Sequence, residues 1–196
     1  MCRHQIVREA LAGVVLVCAS LAVATAQTAI KDISAVYAEG SVIGNQYRND
    51  YFGLTLTPVG GGEFTKGGFI SSQGKRARLI AVEANAENWD DKYSIAILAD
   101  ALSANPLIHS PDQYLRSVRH QFEREGLVTV QEESPLELSG LRFFQSTMKT
   151  GGPGPAHFQG MYTTFLDGYI VSLQVEAPSQ ARLKDILAMV TFKAPH

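Results

Sequence analysis

The sequence predicts an α+β domain in which a largely antiparallel β-sheet is flanked by helices. Strand-like segments come in groups joined by turn signals, and they do not alternate one by one with helices. Two segments with apolar residues at helical spacing stand between these groups and at the end of the chain, beginning at Ser110 and Ser179. The sequence shows no internal repeat, and we expect a single domain after an N-terminal signal peptide.

Residues 1–26 have the three parts of a signal peptide. Arg3 and Arg8 give a positive start, residues 10–24 carry no charge, and Ala24-Thr25-Ala26 supplies small residues for cleavage. The apolar run is shorter than the roughly 20 residues of a membrane span. We therefore expect cleavage before Gln27, export to the periplasm or the extracellular space, and no transmembrane segment in the mature chain.

The only cysteines, Cys2 and Cys18, lie in this segment. An uncleaved anchor is one alternative to cleavage. A lipoprotein signal at Cys18 is another, although Val17 is bulkier than the small residue that such signals place there. If the segment is cleaved, the mature chain has no cysteine. It can then form no disulfide, iron–sulfur cluster or thiolate zinc site and has no cysteine nucleophile. It must be held together by a hydrophobic core, for which its length is sufficient.

The charge is nearly balanced, with 17 basic and 19 acidic residues in the whole chain. The first 26 residues hold Arg3, Arg8 and Glu9, so the remainder has 15 basic and 18 acidic residues. Lys and Arg form no basic patch or stripe in the sequence, and nucleic acid is therefore not an expected partner.

The first elements of the domain are a tether and a strand. Residues 27–46 show little apolar periodicity and are predicted to form a flexible tether before a domain at 47–193. Alternating apolar residues within 47–58 predict a half-buried strand, and these are Phe52, Leu54 and Leu56. Gly53 is expected to permit a bend or a close backbone approach. Residues 63–74 are ambiguous between a short helix and irregular structure.

A hairpin and a helix come next. Residues 78–84 and 93–102 are strand-like and are joined by the polar segment NAENWDDK. Ser110 suits an N-cap, Pro111 suits the first helical position and Gly126 suits the end, which predicts a helix between them. Its apolar face is formed by Leu115, Val118 and Phe122.

Four further strand-like segments follow this helix. Pro135 within the first of them predicts an edge strand or a bulge at that point. Asp167-Gly168 predicts a two-residue hairpin turn, which pairs Leu166 with Tyr169 on a mostly apolar face. The opposite face is mixed, pairs Thr163 with Ser172 and is expected to be only partly covered.

The last predicted element is a helix that starts at Ser179 after Pro178. Its apolar residues have the spacing of a complete core stripe: Leu183, Ile186, Leu187 and Val190.

The opening of the domain resembles that of the PsbP-like and Mog1-like superfamily, which includes small exported bacterial proteins. The shared pattern is Tyr-x-Asn-x-x-Phe-Gly, a strand and a proline, represented here by Tyr47, Asn49, Phe52, Gly53 and Pro58. The segments LSGLRFFQ, DGYIVSLQVEAPS and QARLKDILAMVTF are similar as well, so the resemblance spans 47–192. A Trp that often follows the proline as Pro-x-x-Trp is missing here.

This resemblance implies an α/β/α sandwich but no single function. Members include an extrinsic subunit of photosystem II and a factor that binds a small GTPase. Both bind partners and neither is a familiar enzyme, so a function is transferred only by analogy.

Sequence motifs give no support for catalysis or metal binding. No two of the mature chain's histidines, His109, His120, His157 and His196, have the spacing of a ligand pair on a helix. The G-x-S-x-G motif is absent, and the segment NAENWDDK lacks the ligand pattern of a calcium loop. We therefore expect no catalytic residue, no cofactor and no metal ion.

Trp89 is the only tryptophan and stands in a polar hairpin loop beside Asp90 and Asp91. It is either a partner contact or a ring that folds back over the sheet edge. We predict an exported, non-enzymatic accessory or binding protein, with Trp89, Asp90 and Asp91 as the candidate contact for a protein partner in the cell envelope. The alternatives are an envelope structural protein and a hydrolase or metal-dependent enzyme, whose candidate residues add His157 to these three.

Overall fold

A computed structural model describes residues 32–65, 75–152 and 154–193. These residues form three helices, α1 (Ile33–Ala38), α2 (Pro111–Arg124) and α3 (Gln180–Leu187). None of them is long and apolar enough to cross a membrane. The predicted signal peptide lies outside the described residues.

Eleven strands complete the described part of the chain. They are β1 (Gly40–Ile43), β2 (Gln46–Asn49), β3 (Leu54–Leu56), β4 (Glu63–Thr65), β5 (Arg76–Ala84), β6 (Tyr93–Ala101), β7 (Leu127–Leu138), β8 (Leu141–Thr150), β9 (Phe158–Leu166), β10 (Tyr169–Ala177) and β11 (Val190–Phe192).

The larger sheet has seven strands in the order β4-β5-β6-β10-β9-β8-β7, and each strand is antiparallel to its neighbours. The β9–β10 hairpin turns at Asp167 and Gly168, which both have positive φ, as a type I′ turn requires. The predicted register is confirmed, because Leu166 pairs with Tyr169. β7 is an edge strand, as Pro135 predicted.

The main core lies between one face of this sheet and a layer of α1, α3 and a smaller sheet with the order β1-β2-β3-β11. Alternate residues of β6 and β10 point into it, including Ile95, Ile97, Leu173 and Val175. The α3 stripe of Leu183, Ile186 and Leu187 is buried there as predicted. Val190 does not belong to that stripe. It opens β11 and pairs with Leu56 of β3, because α3 ends at Leu187.

Helix α2 lies on the opposite face of the larger sheet, over β7, β8 and β9. Leu115 of this helix packs against Met148 and Met161 in a second, smaller core. The mixed face was expected to be only partly covered, but Thr163 and Ser172 are both buried, with their hydroxyl oxygens 3.2 Å apart. A helix with an apolar stripe needs an apolar surface to pack against, and this face supplies it. The three layers form a helix-flanked antiparallel sandwich, which confirms the predicted fold class.

The described part of the expected tether, residues 32–46, is folded rather than flexible. It forms α1 and β1, and Ile33 and Val36 of α1 are buried in the main core. The side-chain nitrogen Nδ2 of Asn49 donates to the Val36 carbonyl at 2.9 Å and so fixes the helix to β2. A helix of only six residues shows too few turns for its apolar spacing to stand out in the sequence.

Residues 47–58 form two strands rather than the single strand that was expected. β2 and β3 are joined by a tight turn in which Gly53 has a φ of +59° and its N–H donates to the Asp50 carbonyl. A Cβ atom at Gly53 would lie 3.2 Å from Cβ of Lys193, which confirms the predicted close approach. Of the ambiguous segment, 63–65 forms β4 and 66–74 lies outside the described residues.

Candidate functional site

Trp89 lies in a short 3₁₀ turn, Trp89–Asp91, within the loop that joins β5 to β6. Asn88 caps this turn, because its side-chain oxygen accepts from the N–H of Asp90 at 3.3 Å. The side-chain nitrogen of Asn88 also donates to the carboxylate of Asp91 at 3.2 Å. These contacts fix the turn and leave the Trp89 side chain partly accessible, at 39% exposure.

The Trp89 ring packs edge-to-face against the ring of His157, with the ring centroids 5.1 Å apart. His157 belongs to the loop between β8 and β9. The backbone of that loop is closed by two hydrogen bonds, from Thr150 N–H to the His157 carbonyl at 2.9 Å and from His157 N–H to the Thr150 hydroxyl at 3.1 Å. Two loops that are distant in sequence therefore meet through an aromatic pair.

A groove of about 610 Å³ opens beside this pair, and we call it the Trp89 groove. Its lining includes Trp89, Leu127, Thr150, His157, Gln159 and Glu176. The predicted contact residues Asp90 and Asp91 lie next to Trp89 in the chain but do not line the groove. Glu176, Gln159 and Thr150 were not predicted, because no local spacing connects the ends of β8, β9 and β10 to the NAENWDDK loop.

Charges around the Trp89 groove are unevenly placed. Glu176 is the only formally charged side chain among the described lining residues, and its carboxylate accepts a long hydrogen bond of 3.5 Å from the Ser94 hydroxyl. Lys92 lies just outside the lining, with its ammonium nitrogen 5.8 Å from the centre of the Trp89 ring. That distance is within the range of a cation–π contact.

His157 does not reach a catalytic partner in the described part of the chain. Its ring contacts Trp89, and no hydrogen bond joins the ring to a carboxylate or a hydroxyl among the described residues. Those residues also contain no group of three His, Cys, Asp or Glu side chains arranged to hold a metal ion. The groove thus presents aromatic, amide and carboxylate surface, which suits binding by contact.

Two Ser-x-x-Lys sequences occur in the chain, at Ser72 and Ser146, and the structure describes the second. Ser146 and Lys149 lie on β8, where an odd separation directs two side chains to opposite faces. The hydroxyl of Ser146 is buried and donates to the Gln131 carbonyl at 3.1 Å. The pair is therefore part of the sheet rather than a nucleophile with its base.

A partly buried polar cluster beneath α2 was not predicted from the sequence either. Asp100 of β6 accepts from the guanidinium of Arg76 on β5 through both carboxylate oxygens, and from the Tyr114 hydroxyl of α2 at 3.0 Å. The hydrogen bond to Asp100 raises the pKa of the Arg76 guanidinium, and burial raises the pKa of Tyr114 to about 12. No spacing rule connects three residues on three separate elements.

A second network attaches α2 to the edge strand β7. Arg119, whose side chain is 8% exposed, donates to Glu133 of β7 and to Glu123 one helical turn further on, each at 2.6 Å. The Thr129 hydroxyl also donates to Glu123, and this bond is the largest cause that lowers the pKa of Glu123 to about 2. Arg119 and Glu123 are an i, i+4 pair within α2, whereas no local spacing connects them to Thr129 and Glu133 of β7. Both networks stabilise the fold and neither lines the Trp89 groove.

Another concave region of about 270 Å³ lies between α1–β1 and β4–β5. Its described lining residues are mostly aromatic or aliphatic, including Tyr37, Tyr47, Phe64 and Leu79, and none of them is charged. It offers fewer polar groups than the Trp89 groove to fix a ligand's orientation.

Comparisons with known proteins support the fold alone. No protein-family model matches the sequence, and no curated protein matches it significantly. Among solved structures, the solution structure of cyanobacterial PsbP (CyanoP) from Synechocystis sp. PCC 6803 is similar, with a TM-score of 0.52 and 9% sequence identity. The match covers 79% of this chain and 98% of that one. The predicted resemblance to PsbP is therefore confirmed at the level of the fold, and this chain has a PsbP-like fold.

Proposed function

We propose that this protein is exported and acts as a non-enzymatic accessory protein, which binds a protein partner in the cell envelope through the surface around Trp89. Three lines of support converge on this proposal. The first 26 residues have the pattern of a signal peptide. The fold is similar to that of cyanobacterial PsbP. The described residues place a large aromatic side chain at the rim of an open groove.

The observation that carries the proposal is the Trp89–His157 pair. Tryptophan is enriched among the residues that contribute most to binding in protein interfaces. Here the ring is supported by His157 and by the capped turn, yet it remains 39% exposed. A ring held in one place loses little conformational freedom when a partner binds, which favours affinity.

A hydrolase or a metal-dependent enzyme was the alternative interpretation. It requires His157 to lie within hydrogen-bond reach of a carboxylate or a serine in a concave site. His157 instead packs against Trp89, so the geometry does not favour this alternative over binding.

Affinity capture with matched variants tests the proposed function. The purified protein is immobilised and exposed to an envelope fraction of its host, in parallel with the variants Trp89→Ala and Leu107→Ala. Leu107 is an equally apolar control, because it is 78% exposed and follows the far end of β6. That end is about 27 Å from the Trp89 loop, at roughly 3.3 Å per strand residue.

We expect the same captured protein with wild type and with Leu107→Ala, and a several-fold loss with Trp89→Ala. The melting temperatures of all three proteins should agree, because a loop residue outside the core contributes little to stability. Equal capture by wild type and Trp89→Ala would show that the partner does not bind at this surface. Unfolding of Trp89→Ala would remove Trp89 as a contact and assign it to the core.

A further inference from the structure

We propose that the Trp89 groove receives a lysine or arginine side chain from the partner protein. This inference rests on the proposed function and specifies the chemistry of the partner at the same site. It follows from the charge of the groove, from the aromatic ring beside it and from a backbone carbonyl oxygen at its rim.

The charge of the groove favours a cation. Glu176 lines it, and no Lys or Arg is among the described lining residues. Its hydrogen bond to Ser94 involves a neutral hydroxyl at 3.5 Å, and no ion pair forms with Glu176 in the described part of the chain. A basic side chain would therefore meet a carboxylate whose charge is not already neutralised by a neighbour.

A second carboxylate lies in the same row of the sheet. Glu83 of β5 and Glu176 of β10 are both paired with Ser94 of β6, one on each side. Neighbouring strands are about 4.8 Å apart, so the two glutamate backbones are roughly 10 Å apart on one face. The 3₁₀ turn adds Asp90 and Asp91, which follow Trp89 directly in the chain. The negative potential thus extends beyond the groove and would attract a basic segment.

The Trp89 ring already has a cation beside it. The ammonium nitrogen of Lys92 lies 5.8 Å from the ring centre, which is the geometry of an intramolecular cation–π contact. With Lys92 and His157 both in place, 39% of the residue is still accessible. Lys92 is also the positive charge that opposes the proposal, because it repels an incoming cation. It is consequently a residue whose removal should strengthen binding.

A backbone carbonyl oxygen at the rim adds to the preference of the groove for a cation. Helix α2 ends at Arg124, and the chain then passes through Gly126 to Leu127, which lines the groove. A Cβ atom on the lining residue Gly151 would lie only 2.9 Å from the Gly126 carbonyl oxygen, so that oxygen is adjacent to the groove wall. Gly126 lies two residues beyond the end of α2, and its carbonyl oxygen is a hydrogen-bond acceptor beside the groove for the N–H groups of a basic side chain.

Short peptides that differ only in charge test this inference on the full protein. Trp89 is the only tryptophan, so its fluorescence reports directly on the groove. The probes are acetyl-Gly-Gly-Arg-Gly-Gly-amide and the same peptide with citrulline, which keeps the shape of arginine without its charge. We expect a saturable fluorescence change with the arginine peptide and at least fivefold weaker binding of the citrulline peptide.

Three variants separate the charge effect from a general disturbance. Glu176→Gln should weaken the arginine peptide about three- to fivefold, as expected for an exposed ion pair. Lys92→Met should strengthen it about twofold, because an opposing charge is removed. Glu137→Gln is the matched control and should change nothing. It is exposed near the far end of β7, about ten strand residues and therefore roughly 30 Å from Leu127.

Two results would overturn the inference. One is binding of the arginine and citrulline peptides within twofold of each other, or no saturable change with either peptide. The other is an effect of Glu176→Gln no larger than that of Glu137→Gln. In either case, Trp89-dependent capture of a partner would still support the proposed binding function. Loss of that dependence would reject the proposed function on separate evidence.

Discussion

Removing Arg76 and removing Asp100, the two partners of one ion pair, should lower the free energy of unfolding by very different amounts. The Asp100 side chain is 6% exposed, whereas that of Arg76 is 48% exposed. Replacing Arg76 with Met leaves a buried carboxylate that still accepts a hydrogen bond from the Tyr114 hydroxyl at 3.0 Å but has lost its cation. Replacing Asp100 with Asn leaves a guanidinium that water can already reach. The first change should therefore be the more destabilising one.

The magnitudes follow from this difference in burial. Breaking an ion pair in which both partners are buried costs about 3–5 kcal/mol, because one charge stays buried and uncompensated. Arg76 is half exposed and its attraction to Asp100 is partly screened, so we expect about 2–3 kcal/mol for Arg76→Met. Asp100→Asn keeps a polar group of the same size and should cost about 1 kcal/mol. The double variant should be more stable than Arg76→Met alone, since a neutral amide tolerates burial better than an unpaired carboxylate.

Urea unfolding at pH 7 measures these differences, with circular dichroism and Trp89 fluorescence as two independent signals. Arg48→Met is the control for loss of an arginine, because Arg48 is exposed on β2, and it should change stability by less than about 0.5 kcal/mol. The reasoning is refuted if Asp100→Asn costs as much as Arg76→Met. It is also refuted if the double variant loses the full sum of the two single effects, since contacting residues should not be additive.

Three further variants test other parts of the fold. Leu187→Ala should lower the unfolding free energy by about 2–5 kcal/mol, because Leu187 lies on the buried face of α3 and is 7% exposed. An unchanged urea midpoint would contradict this docking. Asn49→Ala should cost about 1–3 kcal/mol and speed amide exchange in α1, since the Val36 carbonyl loses its donor. With Glu123→Gln, the unfolding free energy should fall less steeply as the pH is lowered. The pKa of Glu123 falls from 4.5 to about 2 on folding, so its contribution is complete above pH 4.5 and is lost towards pH 2. An unchanged pH profile would contradict it.

Elements with strong local rules were predictable from the sequence. The β9–β10 register followed from a two-residue turn, which allows only one pairing of the flanking residues. The span of α2 followed from Pro111 at its first position and Gly126 after its end, although Ser110 makes no side-chain cap. Gln113 instead accepts from the N–H of His109 at 2.9 Å. Short elements such as α1 and β11 escaped prediction because tertiary contacts, rather than local pattern, stabilise them.

The candidate site was predictable only in part, for a related reason. Trp89 stood out because a single tryptophan in a polar loop is unusual. His157 was considered only as a residue of the alternative enzyme, not as a neighbour of Trp89 in a binding site. Glu176 gave no signal, since an exposed glutamate at the end of a strand is ordinary. The groove exists because the β5–β6 and β8–β9 loops and the start of β7 meet at one end of the larger sheet. Such a meeting depends on strand order, which no local spacing encodes.

The two ends of β6 separate stability from binding. Asp100 lies near the C-terminal end of this strand, where Arg76 and Tyr114 contact it. Tyr93 at the other end of the strand is separated from the Trp89 turn by Lys92 alone. Nine strand residues span about 27 Å, well beyond the 7–10 Å within which substitutions usually couple. Arg76→Met should therefore lower stability without changing the affinity of the arginine peptide, as long as the protein stays folded. Glu176→Gln should lower the affinity without lowering stability, because among the described residues this exposed carboxylate has only a long hydrogen bond to Ser94 and contributes little to folding. A variant set in which every loss of affinity followed a loss of stability would mean that the groove is not a separate site but a consequence of the fold being intact.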